Sequence, residues 1–303
     1  MKVCHNIDFV LHKLRWMRDE NIWPNGLRYL WTDAFGVVLL ASLSDVLQDE
    51  EYLDQAKALI DDVYLVLGRE RGIRIGEAPD RDGQYFHYLA MWMYALSVMA
   101  RFDTRYRDMG IELVRQTHER FLAPGHGVIW KMKEDLSGPY PGYGFGAMDA
   151  LDGYVSYRCL DEAALRRETE DMKYLVDQTV TESVITQDPG LGMMLWMTHF
   201  FPAERWATRQ RPRCLASLDY MWKDDGYFCR DPNSPETRFA FTNDGVSLGL
   251  QAVGAMPERV ERLHAYFDAY FDAYRAHDEY DRAAITHVMA CTSHFPGLMI
   301  RTD

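Results

Sequence analysis

Apolar residues recur at helical spacing along nearly the whole chain, in two alternating kinds of segment. Residues 32–48 are apolar almost all round, whereas residues 50–67 carry one apolar stripe, with Asp54, Lys57 and Asp61 on the opposite face. A helix without a polar face is buried on all sides, and a one-sided helix covers a core. The pattern therefore predicts an all-α protein in which buried helices pack against amphipathic ones.

This pairing of a buried with an amphipathic helix repeats along the chain. Buried helices are predicted at residues 32–48, 84–102, 147–160, 190–201, 244–255 and 279–293, and amphipathic ones at residues 9–17, 50–67, 104–122, 162–182, 212–222 and 257–275. Residues 42–44 align with residues 95–97, and a period of about fifty residues with two helices per unit is typical of a helical array. Six pairs predict a closed double ring, an (α/α)6 toroid, as a single domain over residues 1–303. An open solenoid is the alternative.

Strand signals are few. Residues 127–132 fit a short strand in a hairpin, and the glycines, prolines and tyrosines of residues 135–146 predict a loop. A loop of this length in a compact domain is often a lid or a binding loop. Pro212 is expected at the first position of its helix, where a missing N–H is tolerated.

Composition and charge narrow the class of protein. The chain has 303 residues, 48% of them hydrophobic, and a net charge of −13. Such an acidic chain repels a phosphate backbone, and no basic patch offsets this, so nucleic-acid binding is not expected. The five cysteines are widely spaced, without C-x-x-C, and neither a membrane-spanning run nor a signal peptide is evident. We expect a cytoplasmic protein that binds a small molecule, away from membranes.

Carboxylates mark the starts of the predicted buried helices. Five of the predicted buried helices begin with a short polar stretch that contains an aspartate. These aspartates are Asp33, Asp82, Asp149, Asp188 and Asp244. Aspartate caps helices well and complements the helix dipole, which is one interpretation. The other is that parallel buried helices bring these carboxylates to one mouth, where burial and mutual repulsion raise their pKa values. A carboxyl group with a raised pKa can act as a general acid at neutral pH.

Histidines and aromatic residues complete the candidate site. His87 is the best candidate among the histidines, because it lies one turn inside an aromatic helix whose start is polar. His118 and His264 lie on amphipathic helices and are expected at the surface. The catalytic group is predicted to come from Asp33, Asp82, His87 and Asp149. Substrate-binding residues are predicted to be Trp31, Tyr85, Trp92, Trp130, Tyr143, His199, Asp244 and His287.

No metal or cofactor is expected, since the usual metal, P-loop and esterase motifs are missing. The nearest metal-like spacing runs from His287 through Cys291 to His294, close to a helix end. Residues 243–251 resemble the metal-binding Asn/Ser/Glu motif of class I terpene synthases, but Gln251 replaces the last acid. An aromatic cavity suits a carbocation. A cyclase or isomerase of a hydrophobic terpenoid-like metabolite is therefore an alternative function.

The alternation of helices, with residues 31–34 and 82–88 at the starts of two buried helices, resembles the six-hairpin (α/α)6 toroid superfamily. This group includes N-acylglucosamine 2-epimerase-like sugar isomerases and unsaturated glucuronyl hydrolase-like glycosidases. The resemblance implies a cavity at the mouth of the buried helices. It implies aspartates as the acids of a hydrolase, at Asp33, Asp82 and Asp149. For an epimerase it implies a pair of histidines late in the chain, at His199 and His287.

The leading prediction is an enzyme that performs metal-independent acid/base chemistry on a carbohydrate or related polyol, as a hydrolase or an isomerase. Aromatic walls fit the apolar face of a sugar, and carboxylates fit its hydroxyl groups. The terpenoid cyclase is the first alternative, and a non-catalytic helical-toroid binding protein is the second.

Overall fold

The structure is a computed structural model that describes residues 6–222, 240–273 and 282–302. Helices dominate it, which confirms the predicted all-α class. The helices are α1 (Ile7–Asp19), α2 (Leu30–Leu47), α3 (Glu50–Leu67), α4 (Phe86–Met99), α5 (Arg105–Phe121), α6 (Asp149–Asp161), α7 (Arg166–Leu175), α8 (Asp188–Thr198), α9 (Arg205–Met221), α10 (Ala240–Ala252), α11 (Pro257–Ala273) and α12 (Ala284–His294). A π-helical turn (Val176–Val180) extends α7, and a 3-10 turn (Gly297–Ile300) follows α12. The strands are β1 (Gln84–Tyr85), β2 (Leu122–Ala123), β3 (Gly127–Val128) and β4 (Lys131–Met132).

Most helices begin and end within a few residues of the predicted positions, and α9 is the exception. The prediction that Pro212 begins this helix is wrong, because α9 begins at Arg205 and contains the proline. Trp206, Cys214 and Leu218 are buried on one face that continues past the proline, whereas Pro212 is exposed. Burial of that face outweighs the loss of one backbone hydrogen bond. The predicted boundaries at residues 275 and 279 lie outside the described residues.

The chain divides into two compact units, which we call the central unit (Leu27–Ser183) and the terminal unit (Met1–Gly26 with Val184–Asp303). The expectation of one domain stays a prediction. In the central unit, α2, α4 and α6 pack side by side, and α3, α5 and α7 each cover one of them. By length and composition α2 is apolar enough to span a membrane, but 83% of it is buried within the protein. It is the core helix that its uniformly apolar sequence predicts.

In the terminal unit, α10 packs between α8 and α12, while α9, α11 and α1 cover them. Helices α8 and α10 approach each other at glycines. A Cβ atom added to Gly192 would lie 2.5 Å from the carbonyl oxygen of Gly245, and one added to Gly249 would collide with the backbone of Gly192. The two helices can therefore come this close only because these positions lack side chains.

Residues 127–146 form a hairpin arm in the central unit. The predicted strand appears as two short pieces with different partners, β3 paired with β2 and β4 paired with β1. The predicted loop runs back along these strands, where Trp130 N donates to Gly144 O at 2.9 Å and Gly146 N donates to Val128 O at 3.0 Å. Backbone hydrogen bonds thus fix the loop against the strands, before α6 begins.

Candidate acid–base site

The first turns of α2, α4 and α6 meet at one end of the central unit. The ring of Trp31, on α2, lies 4.5 Å from the imidazole of His87, on α4. His87 Nδ1 in turn lies 2.7 Å from Oδ2 of Asp152, on α6. The hydroxyl groups of Tyr29 and Tyr88 are 2.5 Å apart beside them. Three helix starts therefore contribute side chains to one small region.

Asp33 is buried and engaged at the start of α2. Its Oδ2 accepts a hydrogen bond from Tyr29 N at 3.2 Å, and its Oδ1 lies 3.4 Å from Arg28 Nη1. Tyr29 immediately precedes the helix, so this bond satisfies a backbone N–H that the helix leaves open. The contacts give Asp33 a supporting position, in which it fixes the helix start that carries Trp31.

Asp149, Asp152 and His87 form a cluster that we call the acid–base trio. The two carboxylates are three residues apart in the first turn of α6 and therefore share a face of that helix. Asp149 is buried, and its Oδ1 has no hydrogen-bond partner among the described residues. The His87 side chain is 25% exposed, so solvent or a ligand can reach it. Asp152 was not among the predicted site residues, although its spacing from Asp149 was the available signal.

The protonation of the trio follows from its burial and charges. Burial, together with the charge of Asp152, raises the pKa of Asp149 to about 8, although the charge of His87 opposes both. Burial lowers the pKa of His87, but the charge and hydrogen bond of Asp152 outweigh this, and the net pKa is raised. Near neutral pH the trio thus holds protons on groups that can release them, and it titrates as a coupled set.

Asp82 lies apart from this arrangement. The expectation that it opens α4 is wrong, because β1 intervenes and α4 begins at Phe86. Its carboxylate is 39% exposed, accepts a hydrogen bond from the Tyr140 hydroxyl at 2.7 Å and lies 3.4 Å from Lys131 Nζ. The hydrogen bond from Tyr140, aided by Lys131, lowers the pKa of Asp82. Asp82 is therefore ionised at neutral pH and holds the hairpin arm.

Tyr85, Trp130 and Tyr143 form what we call the aromatic platform. The rings of Tyr85 and Trp130 are nearly parallel with centroids 5.6 Å apart, and Tyr143 meets Trp130 edge-on at 5.2 Å. Lys131 Nζ lies over the rings of Tyr85 and Tyr143 at 5.3 and 5.2 Å, which fixes them by cation–π attraction. Trp130 is 43% exposed. The platform adjoins the trio through Tyr88, whose ring lies 5.2 Å from that of Tyr85.

Trp92 does not join this group. It is fully buried, and its ring meets Tyr64 of α3 at 6.2 Å. Trp92 lies five positions after His87, which turns it by about 140° around the axis of α4 and away from the trio. The surroundings of Trp92 are apolar enough that burial raises the pKa of Tyr64 to about 12.

The other predicted residues lie in the terminal unit. Asp188, at the start of α8, accepts a hydrogen bond from the Thr242 hydroxyl at 2.5 Å. His199 lies beyond the opposite end of α8, about 16 Å along the axis, where its Nδ1 donates to the carbonyl of Trp196. Burial lowers the pKa of His199 to about 4. His199 therefore lies at the opposite end of α8 from Asp188, and its role in substrate binding stays a prediction.

His287 and Asp244 are buried in the terminal unit. The His287 ring, near the start of α12, meets Trp16 edge-on at 4.7 Å. Burial raises the pKa of Asp244 well above its ordinary value, and the charge of Asp268 adds to this, while Lys13 opposes it. Oδ2 of Asp244 has no hydrogen-bond partner within the part of the chain that the structure describes.

Two histidines expected at the surface are buried. His264 Nε2 lies 2.9 Å from the Ser247 hydroxyl and 2.8 Å from that of Ser293. His118, 1% exposed, lies against Tyr157 and Asp171. Each of these histidines lies on the side of its amphipathic helix that faces the core. Periodicity alone did not show whether a histidine belongs to the buried side or to the charged side of such a helix.

The terpene synthase-like segment, residues 243–251, makes hydrogen bonds inside the terminal unit. Ser247 contacts His264, and Gln251 Nε2 donates to the carbonyl of Ser293 at 2.8 Å. His294 lies 3.0 Å from Asp268. Within residues 6–222, 240–273 and 282–302, no three His, Cys, Asp or Glu side chains are placed to hold a metal ion.

Comparisons with known proteins place the fold. No protein-family model matches the chain, and no curated protein matches it in sequence. The structure of cellobiose 2-epimerase from Spirochaeta thermophila DSM 6192 matches with 14% identity and a TM-score of 0.61, over 91% of this chain and 87% of that one. The chain has the (α/α)6 toroid fold. The predicted resemblance to toroid sugar epimerases is thus confirmed at the level of the fold.

Two further structures match less well. Cellobiose 2-epimerase from Bacillus thermoamylovorans B4167 is 12% identical with a TM-score of 0.47, over 87% of this chain and 75% of that one. A sugar epimerase from a ruminal bacterium is 15% identical with a TM-score of 0.47, over the same shares of 87% and 75%.

Proposed function

We propose that this toroid is a sugar isomerase or epimerase in which the acid–base trio moves a proton next to the carbonyl group of an open-chain sugar. The observation that carries the proposal is the trio itself: an accessible histidine held by one carboxylate, beside a second, buried carboxyl group. Perturbed carboxyl and imidazole groups in contact are the usual components of proton-transfer sites. The fold shared with a cellobiose 2-epimerase structure supports a carbohydrate substrate.

The roles follow from the contacts of each group. Asp152 accepts a hydrogen bond from the N–H at Nδ1 of His87, so the neutral imidazole keeps its lone pair on Nε2. Nε2 removes the proton from the carbon next to the carbonyl. Asp149 gives its proton to the carbonyl oxygen, and an enediol results. In the second half of the reaction Asp149 takes a proton back from an enediol hydroxyl group while Nε2 of His87 returns the proton that it removed. Delivery to the other face of the same carbon, after the enediol has turned over in the site, gives the epimer, and delivery to the former carbonyl carbon gives the isomer.

This mechanism requires a neutral His87 and a protonated Asp149 at the same time. The rate should therefore rise as His87 loses its proton and fall as Asp149 loses its own, at about pH 8. The result is a bell-shaped profile whose two limbs belong to the coupled trio.

The aromatic platform and Trp31 supply the binding surface. Stacked aromatic rings match the apolar face of a sugar, and the partly exposed Trp130 presents such a ring. We propose that a neutral sugar lies between this surface and the trio, with no metal ion in the reaction. Addition of a chelator should then leave turnover unchanged, and loss of turnover would contradict metal independence.

Hydrogen exchange tests the proposal without knowledge of the product. A panel of reducing mono- and disaccharides is incubated with the protein in D₂O, and proton NMR follows loss of the signal at carbon 2. Asp149→Asn and His87→Asn should each lower the exchange rate by about 10²–10⁴-fold. Asp82→Asn is the matched control and should leave it unchanged. Full exchange by Asp149→Asn, or none by the wild type on any sugar, would contradict the proposal.

A glycosidase is the second candidate, favoured by one observation. A neutral carboxyl group near aromatic rings, with an ionised carboxylate close by, is also the arrangement of a glycosidase general acid and its partner. Release of a sugar from a glycoside, without deuterium at carbon 2, would favour this function. Binding without either reaction would favour a non-catalytic protein.

A further inference from the structure

Gly146, the last residue of the hairpin arm, lies directly against the carboxyl group of Asp149. A Cβ atom added to Gly146 would collide with Oδ2 and Cγ of Asp149 and would lie 2.9 Å from its Oδ1. The whole carboxyl group thus occupies the space that any side chain at residue 146 would need. Atoms never approach so closely, so one of the two groups must move in any variant with a side chain there.

We propose that Gly146 is a positioning residue for Asp149: the missing side chain creates the buried place in which the carboxyl group of the trio lies. The catalytic meaning of this inference rests on the proposed function. The positioning itself is a property of the structure that can be measured without a substrate.

The backbone around Gly146 is fixed, so it cannot move aside. Gly146 N donates to Val128 O at 3.0 Å, and the preceding residue, Phe145, pairs with Ile129 across the arm. The Asp149 side chain can instead rotate about its Cα–Cβ bond, at the loss of the backbone hydrogen bonds from its own residue and from His87, and its Oδ1 has no hydrogen-bond partner among the residues described. A methyl group at residue 146 should therefore turn the carboxyl group out of its buried place rather than displace the arm.

Gly144 offers a matched control in the same arm. A Cβ atom added there meets no described atom within 4 Å, and Gly144, like Gly146, has no left-handed backbone conformation. Both glycines also take part in one cross-arm backbone hydrogen bond, Gly144 through its carbonyl. Gly144→Ala thus makes the same chemical change two residues away without touching Asp149.

Carbon-13 NMR of the Asp149 carboxyl group, assigned by its loss in Asp149→Asn, measures the effect directly. In Gly146→Ala we expect the pKa of Asp149 to fall from about 8 toward the ordinary 3.8, because the group gains contact with water. In Gly144→Ala it should stay at the wild-type value. An Asp149 pKa that is unchanged or higher in Gly146→Ala would overturn the inference.

Activity then separates this inference from the proposed function. The falling alkaline limb of the exchange rate should move to lower pH in Gly146→Ala and stay in place in Gly144→Ala. If the Asp149 pKa falls in Gly146→Ala while Asp149→Asn remains fully active, the positioning stands and the proposed function fails. If Asp149→Asn is inactive while Gly146→Ala keeps the wild-type pKa, the proposed function stands and the positioning fails.

A double-mutant cycle covers the case in which Gly146→Ala folds poorly. Asp149→Ala removes the carboxyl group that the new methyl group would meet. The stability lost in Gly146→Ala should therefore be recovered when Asp149→Ala is added, as a coupling between the two sites in thermal unfolding. The same loss in both backgrounds would overturn the inference, since Gly146 would then be required for a reason other than Asp149.

Discussion

Replacing Asp149 with asparagine removes a titrating group from a buried position, and we expect it to change how stability depends on pH. The pKa of this carboxyl group rises from an ordinary 3.8 to about 8 in the folded protein. Between these values the folded protein retains a proton that the unfolded chain releases. The contribution of Asp149 to the free energy of unfolding should therefore be largest in acid and fall progressively as the pH rises from about 4 to about 8.

The size of the effect follows from the same values. Each pH unit within this range lowers the free energy of unfolding by about 1.4 kcal/mol for one proton. From about pH 5 to about pH 8 the loss due to Asp149 is at most ~4 kcal/mol, because the charge of His87 changes over part of the same range. The Asp149→Asn variant escapes this loss. Any cost of burying the amide is the same at both pH values, so it cancels when the two are compared.

Urea unfolding followed by circular dichroism, at several pH values from about 5 to about 8, measures this difference. The free energy of unfolding of Asp149→Asn, relative to that of the wild type, should increase as the pH rises. Asp82→Asn is the control, because the pKa of Asp82 is lowered by Tyr140 and Lys131 and its ionisation is complete below this range. The difference in free energy of unfolding between Asp82→Asn and the wild type should stay constant over this pH range. Parallel curves for Asp149→Asn and the wild type would refute the reasoning.

Three further predictions concern other parts of the molecule. Gly249→Ala should lower the free energy of unfolding by about 1–3 kcal/mol, because the new Cβ would press on Gly192. Gly245→Ala is the control: its Cβ has room, so the variant should be neutral or stabilised by up to about 1 kcal/mol. Equal effects of the two substitutions in urea unfolding would contradict this prediction. Trp130→Ala should raise KM for the sugar with little change in kcat, since stacking holds substrate and transition state alike, and a fall in kcat alone in steady-state kinetics would argue otherwise. Burial, with the nearby charge of His294, lowers the pKa of His264 from 6.5 to about 4. The contribution of His264 to thermal stability should therefore fall as the pH drops through this range, and His264→Gln should reduce that fall. An identical fall in the variant would contradict the lowered pKa of His264.

The helices themselves were predictable from the sequence. Helix α2 (Leu30–Leu47) matches the predicted residues 32–48, and α3 (Glu50–Leu67) matches residues 50–67. Apolar periodicity decides which faces can be buried, and that requirement is local in the chain. The same periodicity misjudged α9, because a buried face that continues past Pro212 can outweigh the local effect of a proline.

Part of the candidate site was also predictable. His87 and Asp149 were named because a polar helix start next to aromatic residues indicates a mouth, and the structure brings them together through Asp152. Asp152 was missed because its three-residue spacing from Asp149 shows only a shared helix face, whereas its contact with His87, 65 positions earlier, is set by the tertiary structure. His199 lies at the other end of α8 from Asp188, a difference that matters for a binding site but that helical periodicity does not weigh.

Asp82 and Asp149 show most clearly what could not be predicted from the sequence. In the sequence both are acids near the start of an apolar helix. In the folded chain Asp82 receives a hydrogen bond from Tyr140 and lies beside Lys131, which lowers its pKa, whereas Asp149 lies buried against Gly146, which leaves its pKa raised. The sequence by itself determined the helices and their buried faces, because these depend on neighbours a few residues away. Only the tertiary structure decided which carboxyl group keeps its proton, because burial and charge at a site come from residues far apart in the chain.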